Sequence, residues 1–262
     1  GLPVLEEGGS DDETRLCGTC TAMEALGLEL SRQPRFLLRE VGVKQDANFR
    51  FQFGESTYSY KLSREPLDWG ETFCLNGFDL SRGGATRGFK LVGNHAPKFD
   101  DGRLVSFSHL IDKEPQLQLR RERDEGGHPT KIAILKADID NLGLIFSMGL
   151  DPAESRAMVK PSMSRVTTMS FLVDAYFSKI VNDIARLNNV YIVFSGGDDL
   201  TAVGRYDEIM SFAMEIRDKF KQWCSGNDVI TLSAGIVLVG EKFPIKRGIE
   251  QAEHALEASK QH

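Results

Sequence analysis

The run Tyr191-Ile192-Val193-Phe194-Ser195-Gly196-Gly197-Asp198-Asp199-Leu200-Thr201-Ala202-Val203 constrains the fold more than any other stretch. Two apolar, β-branched-rich segments flank a Gly-Gly-Asp-Asp tip, the pattern of strand, tight turn, strand. Two readings of the tip stand side by side. Glycine accepts positive φ and Asp bonds its own backbone, so the tip is good turn chemistry in itself. It is equally a divalent-metal site for phosphoryl chemistry, in which glycines let a nucleotide approach and the carboxylates offer hard oxygens to Mg²⁺.

A second run bears on that choice. Lys131-Ile132-Ala133-Ile134-Leu135-Lys136-Ala137-Asp138-Ile139-Asp140 reads as a strand ending in Asp-x-Asp. Side chains alternate along a strand, so Asp138 and Asp140 are expected on one side. If this strand lies beside the hairpin, Asp138 meets Asp198 and Asp199, and the cluster suits two metal ions. Three crowded carboxylates repel one another without a cation. A purely structural turn would have to tolerate that repulsion.

Taken in order, Asp138-Ile139-Asp140-Asn141-Leu142-Gly143, a long helix, Ser195-Gly196-Gly197-Asp198-Asp199 and Leu232-Ser233-Ala234-Gly235-Ile236 form a specific set. It resembles the second palm domain of the large subunit of type III CRISPR effector complexes, nearest the Csm-type branch. Those domains are palm-polymerase-like and related to the GGDEF nucleotide cyclases. The resemblance covers residues 130–262 and implies an α+β, ferredoxin-like domain. It implies that Asp138 is a metal ligand, helped by the backbone carbonyl of Ile139. Asp199 takes the position of the cyclases' metal-binding acid, with Asp198 beside it, and both are the expected catalytic acids. Gly196 and Gly197 leave room for ribose and phosphates, and Asn141 and Ser195 are candidate contacts to base or sugar. Lys260 matches a triphosphate-contacting lysine, although a lysine near a helix C-terminus is favoured by the helix dipole in any case.

The implied cofactor is Mg²⁺ or Mn²⁺ and the implied substrate is ATP. A 3′-hydroxyl attacks an α-phosphate, pyrophosphate leaves, and the products are cyclic oligoadenylates made when the complex binds target RNA. Such chemistry needs positioning and charge neutralisation more than a reactive side chain. The implied partners are the other effector subunits, with guide RNA and target RNA reached through the complex. An HD nuclease domain and a first palm are expected before this piece, and a helical domain after it. No His-Asp dipeptide occurs in the chain. Asp-Asp in place of Asp/Glu-Glu-Phe argues against a diguanylate cyclase. The rival readings are a silent palm acting as scaffold for guide RNA and small subunits, a GTP-using cyclic dinucleotide synthase, and a template-directed polymerase palm, for which no fingers or thumb region is evident.

The rest of the chain reads as a second, smaller domain. Residues 1–13 are Gly- and acid-rich and expected to be disordered. Cys17-Gly18-Thr19-Cys20 is half of a zinc site, or a pair of reduced thiols. The resemblance implies a second Cys-x-x-Cys pair that is not here. A short helix is expected over 21–32. Alternating segments at 36–38, 49–53, 58–62, 73–75 and 89–92 predict a small antiparallel β region. With the Cys-x-x-Cys element it forms a β-rich linker domain over 14–112. Arg82, Arg87 and Lys90, beside Gly83 and Gly84, make a basic patch that reads first as a solvated loop. The charged stretch 113–130 reads as a mobile linker, and the palm domain runs over 131–262.

In the palm, helices are expected at 164–187, 207–224 and 245–260, with a strand at 229–239. Cys224 reads as a core thiol. The 262 residues carry a net charge of −6, which argues against a protein that coats nucleic acid by itself. No apolar run spans a bilayer and no signal peptide is apparent, so the expected location is cytoplasmic. Gly1 in place of an initiator Met reads as the start of a fragment.

Overall fold

The computed structural model describes residues 18–65, 67, 69–77, 86–107, 109–110, 131–149, 162–240 and 243–260. The chain forms two compact units, Gly1–Lys90 and Leu91–His262. The expected disordered start, Cys17, Arg82, Gly83, Gly84 and the 113–130 linker lie outside the described residues.

The first unit opens with helix α1 (Gly18–Ser31). Five strands follow: β1 (Phe36–Val41), β2 (Phe49–Phe53), β3 (Ser56–Ser63), β4 (Glu71–Leu75) and β5 (Thr86–Lys90). Their order in the sheet is β2-β3-β1-β4-β5. Alternation along β1 places Phe36 and Leu38 in a core with Trp69 and Cys74. The expected antiparallel pattern holds except at β5, which runs parallel to β4. Residues 76–85 connect those two strands, so this pair is a crossover and not a hairpin, which alternation within each strand does not reveal.

The second unit is built on β6 (Ile132–Ile139), β7 (Tyr191–Gly196), β8 (Asp199–Arg205) and β9 (Leu232–Val239), in the sheet order β7-β8-β6-β9. Every neighbouring pair is antiparallel. With helices between β6 and β7 and between β8 and β9, this is the ferredoxin-like split β-α-β arrangement expected from the sequence. Alternation along β6 sorts its residues cleanly. Ala133, Leu135, Ala137 and Ile139 enter the main core, beneath the helices that cross between strands. Ile132 and Ile134 enter a second core on the opposite face, with Val203, Val239 and Ala252 of helix α6 (Ile245–Ser259).

Leu142–Leu144 form a single turn, α2, that continues as a π-helical segment, Ile145–Gly149. The helix expected at 164–187 is present but interrupted. It comprises α3 (Met163–Ala175), a π-helical turn (Tyr176–Ile180) and α4 (Val181–Leu187). A wider turn rotates the residues on either side of it, which simple 3.6 periodicity does not anticipate. Leu172 and Leu187, which helical spacing from Val166, Met169, Val173, Tyr176 and Ile180 would turn inward, are exposed, and Phe177 and Ala185 are buried. Helix α5 (Tyr206–Trp223) buries Ile209, Phe212, Ile216 and Phe220, but Trp223 is 41% exposed. The strand expected from Val229 begins at Leu232, because Val229 lies out in solvent. Cys224 packs at the margin of the main core, and burial raises its pKa.

The domain boundary differs from the one read in sequence. Residues 91–110 belong with the palm and not with the small β domain. His95 accepts a 2.9 Å hydrogen bond from the Ile192 N–H, and Asn182 Oδ1 accepts from the N–H groups of Asn94 and His95 at 2.9 and 2.8 Å. Phe107 packs edge-to-face on Tyr191 at 5.2 Å, and Val105 is 1% exposed. The segment thus covers the outer side of edge strand β7. It has no periodicity of its own, and so it reads as a connection.

Candidate functional site

The β7–β8 hairpin has a two-residue loop, Gly197-Asp198, closed by the Gly196–Asp199 pair. Gly197 has φ 61°, and a positive φ at the first loop position is what a type II′ hairpin turn requires. Among the described residues no atom lies within 4 Å of where a Cβ on Gly197 would stand. Next to the hairpin, β6 pairs with β8 so that Asp138 and Asp199 are direct partners. Asp198 follows from the turn, and the three acids share one end of the sheet.

Their electrostatics show the crowding. The Asp198 carboxyl is pushed above the usual range, first by burial, then by the negative charge of Asp138 and more weakly by that of Asp199. Two lysines offset the other acids. Lys136, two residues before Asp138 on the same side of β6, reaches Asp199 at 3.4 Å and is also hydrogen-bonded to Glu253 of α6. Burial works against its charge, but the hydrogen bond to Glu253 and the charges of Asp199 and Glu253 prevail and raise its pKa. Lys260, at the C-cap of α6, forms an ion pair with Asp138 Oδ2. Lys136 and Glu253 did not stand out in the sequence. A lone lysine inside the apolar strand Ile132–Ile139, in phase with Asp138, was the available signal.

The expected site residues separate into groups. Asp138, Asp198, Asp199, Gly196, Gly197 and Lys260 come together. Ile139 ends β6, with its side chain buried and Leu232 as its register partner, so only its backbone is available to a ligand. Asn141 caps α2 with φ 56°, makes no side-chain capping bond and is exposed. The Ser195 hydroxyl donates to the Phe177 carbonyl in the π turn at 2.7 Å, which leaves the oxygen only as an acceptor. The Asp140 carboxylate is engaged elsewhere, accepting from Thr231 Oγ1 at 2.6 Å. Of the zinc half-site, Cys17 lies outside the described residues and Cys20 is placed only as part of α1.

A cleft of about 630 Å³ opens beside the hairpin tip. Leu142, Phe146, Val166 and Phe171 give it apolar walls, while Asp174, Gly197 and Asp198 supply a polar edge. Such a space, apolar with a few convergent polar groups, suits a small ligand.

Among the described residues, no three His, Cys, Asp or Glu side chains gather closely enough to hold a metal ion by themselves. That is compatible with Mg²⁺, which is commonly held by one or two carboxylates and completed by substrate phosphates and water. Among the described residues no donor reaches the buried Asp138 Oδ1, which suits this hard oxygen to a cation. The donor set fits a nucleotide-bridged Mg²⁺ or Mn²⁺.

Residues 131–262 match the family model described as Cas10/Cmr2, second palm domain. A CRISPR system single-strand-specific deoxyribonuclease Cas10/Csm1 (subtype III-A) from Methanocaldococcus jannaschii is 37% identical over 187 residues, covering 66% of this chain and 21% of that protein. The protein of the same description from Streptococcus thermophilus is 31% identical over 264 residues, 99% of this chain and 33% of that protein. The chain therefore spans a third or less of the length of these relatives. The fold is also shared with a solved Csm1–Csm4 cassette in complex with one ATP (TM-score 0.69, 20% identity, 93% of this chain and 33% of that one). A cassette in complex with cA4 is similar (TM-score 0.66, 19% identity, 89% and 32%). The chain therefore belongs to the Cas10/Cmr2 family, whose second palm domain it carries at residues 131–262.

Proposed function

We propose that this chain is the nucleotidyl-transfer palm of a type III CRISPR large subunit, binding ATP and Mg²⁺ or Mn²⁺ at the hairpin tip. Within the longer protein it joins ATP into cyclic oligoadenylates when the complex engages target RNA. The observation that carries this reading is the direct pairing of Asp138 with Asp199 beside the open Gly197-Asp198 turn. Solved relatives hold ATP and cA4, which supports the substrate class.

When bound, the divalent ion supplies charge neutralisation at the reacting phosphate and lowers the barrier to displacement. The chain's own residues supply the frame. Asp138 and Asp199, with the Ile139 carbonyl, would hold the ion. Gly196 and Gly197 admit the phosphates and ribose to the backbone, Asp198 carries the remaining negative charge at the turn, and Lys260 meets the triphosphate. Asn141 and the acceptor side of Ser195 touch base or sugar. Other effector subunits, guide RNA and target RNA, the HD domain, the first palm and the helical domain complete the assembly. Zn²⁺ at Cys17 and Cys20 would need ligands from beyond this pair.

The pairing of Asp138 and Asp199 with lysines favours one competing reading, a silent palm that serves as scaffold. Calorimetric titration of ATP and of GTP, with and without Mg²⁺, separates them. The expected result is metal-dependent binding selective for ATP, abolished in the Asp138→Ala/Asp199→Ala double variant. Binding that ignores both metal and the two substitutions would defeat the metal–nucleotide reading. Preference for GTP would point to a cyclic dinucleotide synthase.

A further inference from the structure

Helix α6 presents Glu253 and Lys260 to the strand residues Lys136 and Asp138, so two crossed charge pairs flank the acid end of the sheet. The two lysines are held very differently. The Lys136 side chain is 12% exposed and anchored to two carboxylates, those of Asp199 and Glu253. Lys260 is 33% exposed, lies beyond the last turn of α6, and pairs with Asp138. Lys136 is therefore held by two carboxylates and Lys260 by one.

Asp138 is divided in the same way. Its Oδ2 is engaged by the Lys260 ammonium, while its Oδ1 is buried and has no hydrogen-bond donor among the described residues. A divalent ion bound to this carboxylate would stand about 2 Å from an oxygen. The ammonium on the same carboxylate would then face a dication at close range, and the two repel. A nucleotide's phosphates offer that ammonium a more strongly charged partner within reach of the same tip. Resting on the metal–nucleotide reading above, we propose that Lys260 is an internal counter-ion of Asp138 that transfers to the nucleotide's phosphates as a divalent cation enters, so that cation and nucleotide bind cooperatively. Reciprocity follows from linkage: whatever the nucleotide does for the cation, the cation does for the nucleotide. Lys136 stays in place throughout, because Glu253 holds it and it continues to orient Asp199.

The test is a Mn²⁺ titration of the whole 262-residue chain by electron paramagnetic resonance, without nucleotide, alongside binding of a non-hydrolysable ATP analogue at saturating Mn²⁺. Lys260→Gln removes the competing ammonium and is expected to tighten nucleotide-free Mn²⁺ binding about fivefold, the scale of a partly exposed ion pair. The same variant is expected to weaken analogue binding, so the two effects have opposite signs. Lys246→Gln, an exposed lysine in the first turn of α6, controls for general charge and should leave both unchanged. Mn²⁺ binding by Lys260→Gln that equals or falls below wild type would overturn the counter-ion role, since a merely structural lysine weakens both ligands together. Failure of wild type and every variant to bind Mn²⁺, both alone and together with the analogue, would remove the metal site itself, and the counter-ion role with it.

Discussion

At the residue scale, the acid end of the sheet trades stability for charge. The Asp198 carboxyl is held above its ordinary range, so its ionised form disfavours the fold, and stability drops as pH rises through that titration. Asp198→Asn is therefore expected to raise the Tm of the metal-free chain at pH 7, and added Mg²⁺ with ATP should narrow the gap. Scanning calorimetry of both forms checks this, and a lower Tm for the variant would contradict it. His95 works in the opposite pH direction. Burial, then the charges of Arg186 and Lys98, lower its pKa from 6.5 to about 4. The neutral ring is favoured in the fold, so its contribution is complete above pH 6.5 and lost as pH falls toward 4. That contribution amounts to about 3 kcal/mol at most. Urea denaturation at pH 7 and pH 5 should show a smaller pH-dependent loss for His95→Gln than for wild type.

At the element scale, α6 matters most, because it carries Glu253 and Lys260 to β6. Its approach depends on Gly235 of β9. A Cβ there would stand 2.3 Å from the Ala252 carbonyl oxygen and 2.3 Å from the Leu256 nitrogen, both backbone atoms that cannot rotate away. Gly235→Ala should force α6 off the sheet and destabilise by about 3 kcal/mol. Gly248 makes the useful contrast: a Cβ there meets Ile134 Cδ1 at 2.2 Å, the far end of a flexible side chain. Gly248→Ala should therefore cost less in the same urea titration, and equal losses would mean that the helix adjusts as easily as the side chain. Because α6 places Lys260, Gly235→Ala should also weaken metal-dependent ATP binding.

At the scale of the whole molecule, the two units divide at Lys90 and Leu91. The strip from Leu91 to Leu110 lies along β7 and buries Val105 and Leu110. A chain of residues 91–262 should then unfold cooperatively by itself. A chain of residues 131–262, matching the family model alone, loses the His95–Ile192 and Asn182 hydrogen bonds and the Phe107–Tyr191 packing. It should be less stable by about 3 kcal/mol or more, and prone to association through the bared edge of β7. Calorimetry and light scattering on the two truncations decide the point. Equal stabilities would show that the strip only lies on the surface. Among the described residues no helix is long and apolar enough to cross a membrane.

What the sequence determined by itself was local and periodic. Alternation in Ile132–Ile139 and Tyr191–Val203, the Gly-Gly tip and the amphipathic stripe of α5 marked the strands, the hairpin and the helix, while the meeting of Asp138 with the hairpin acids hung on a strand neighbourhood that the register of β6 with β8 supplies. These features depend on neighbours along the chain, where side-chain period and turn chemistry are dictated by backbone geometry. The rest was settled only in three dimensions. The π turn at Tyr176–Ile180 shifted the buried face of its helix, and β5 joined β4 in parallel. Residues 91–110 joined the palm, Asp140 turned toward Thr231, and Lys136 and Glu253 became neighbours of Asp199. Each of these rests on a contact between segments far apart in sequence, where packing and charge choose among partners that the local pattern leaves equivalent.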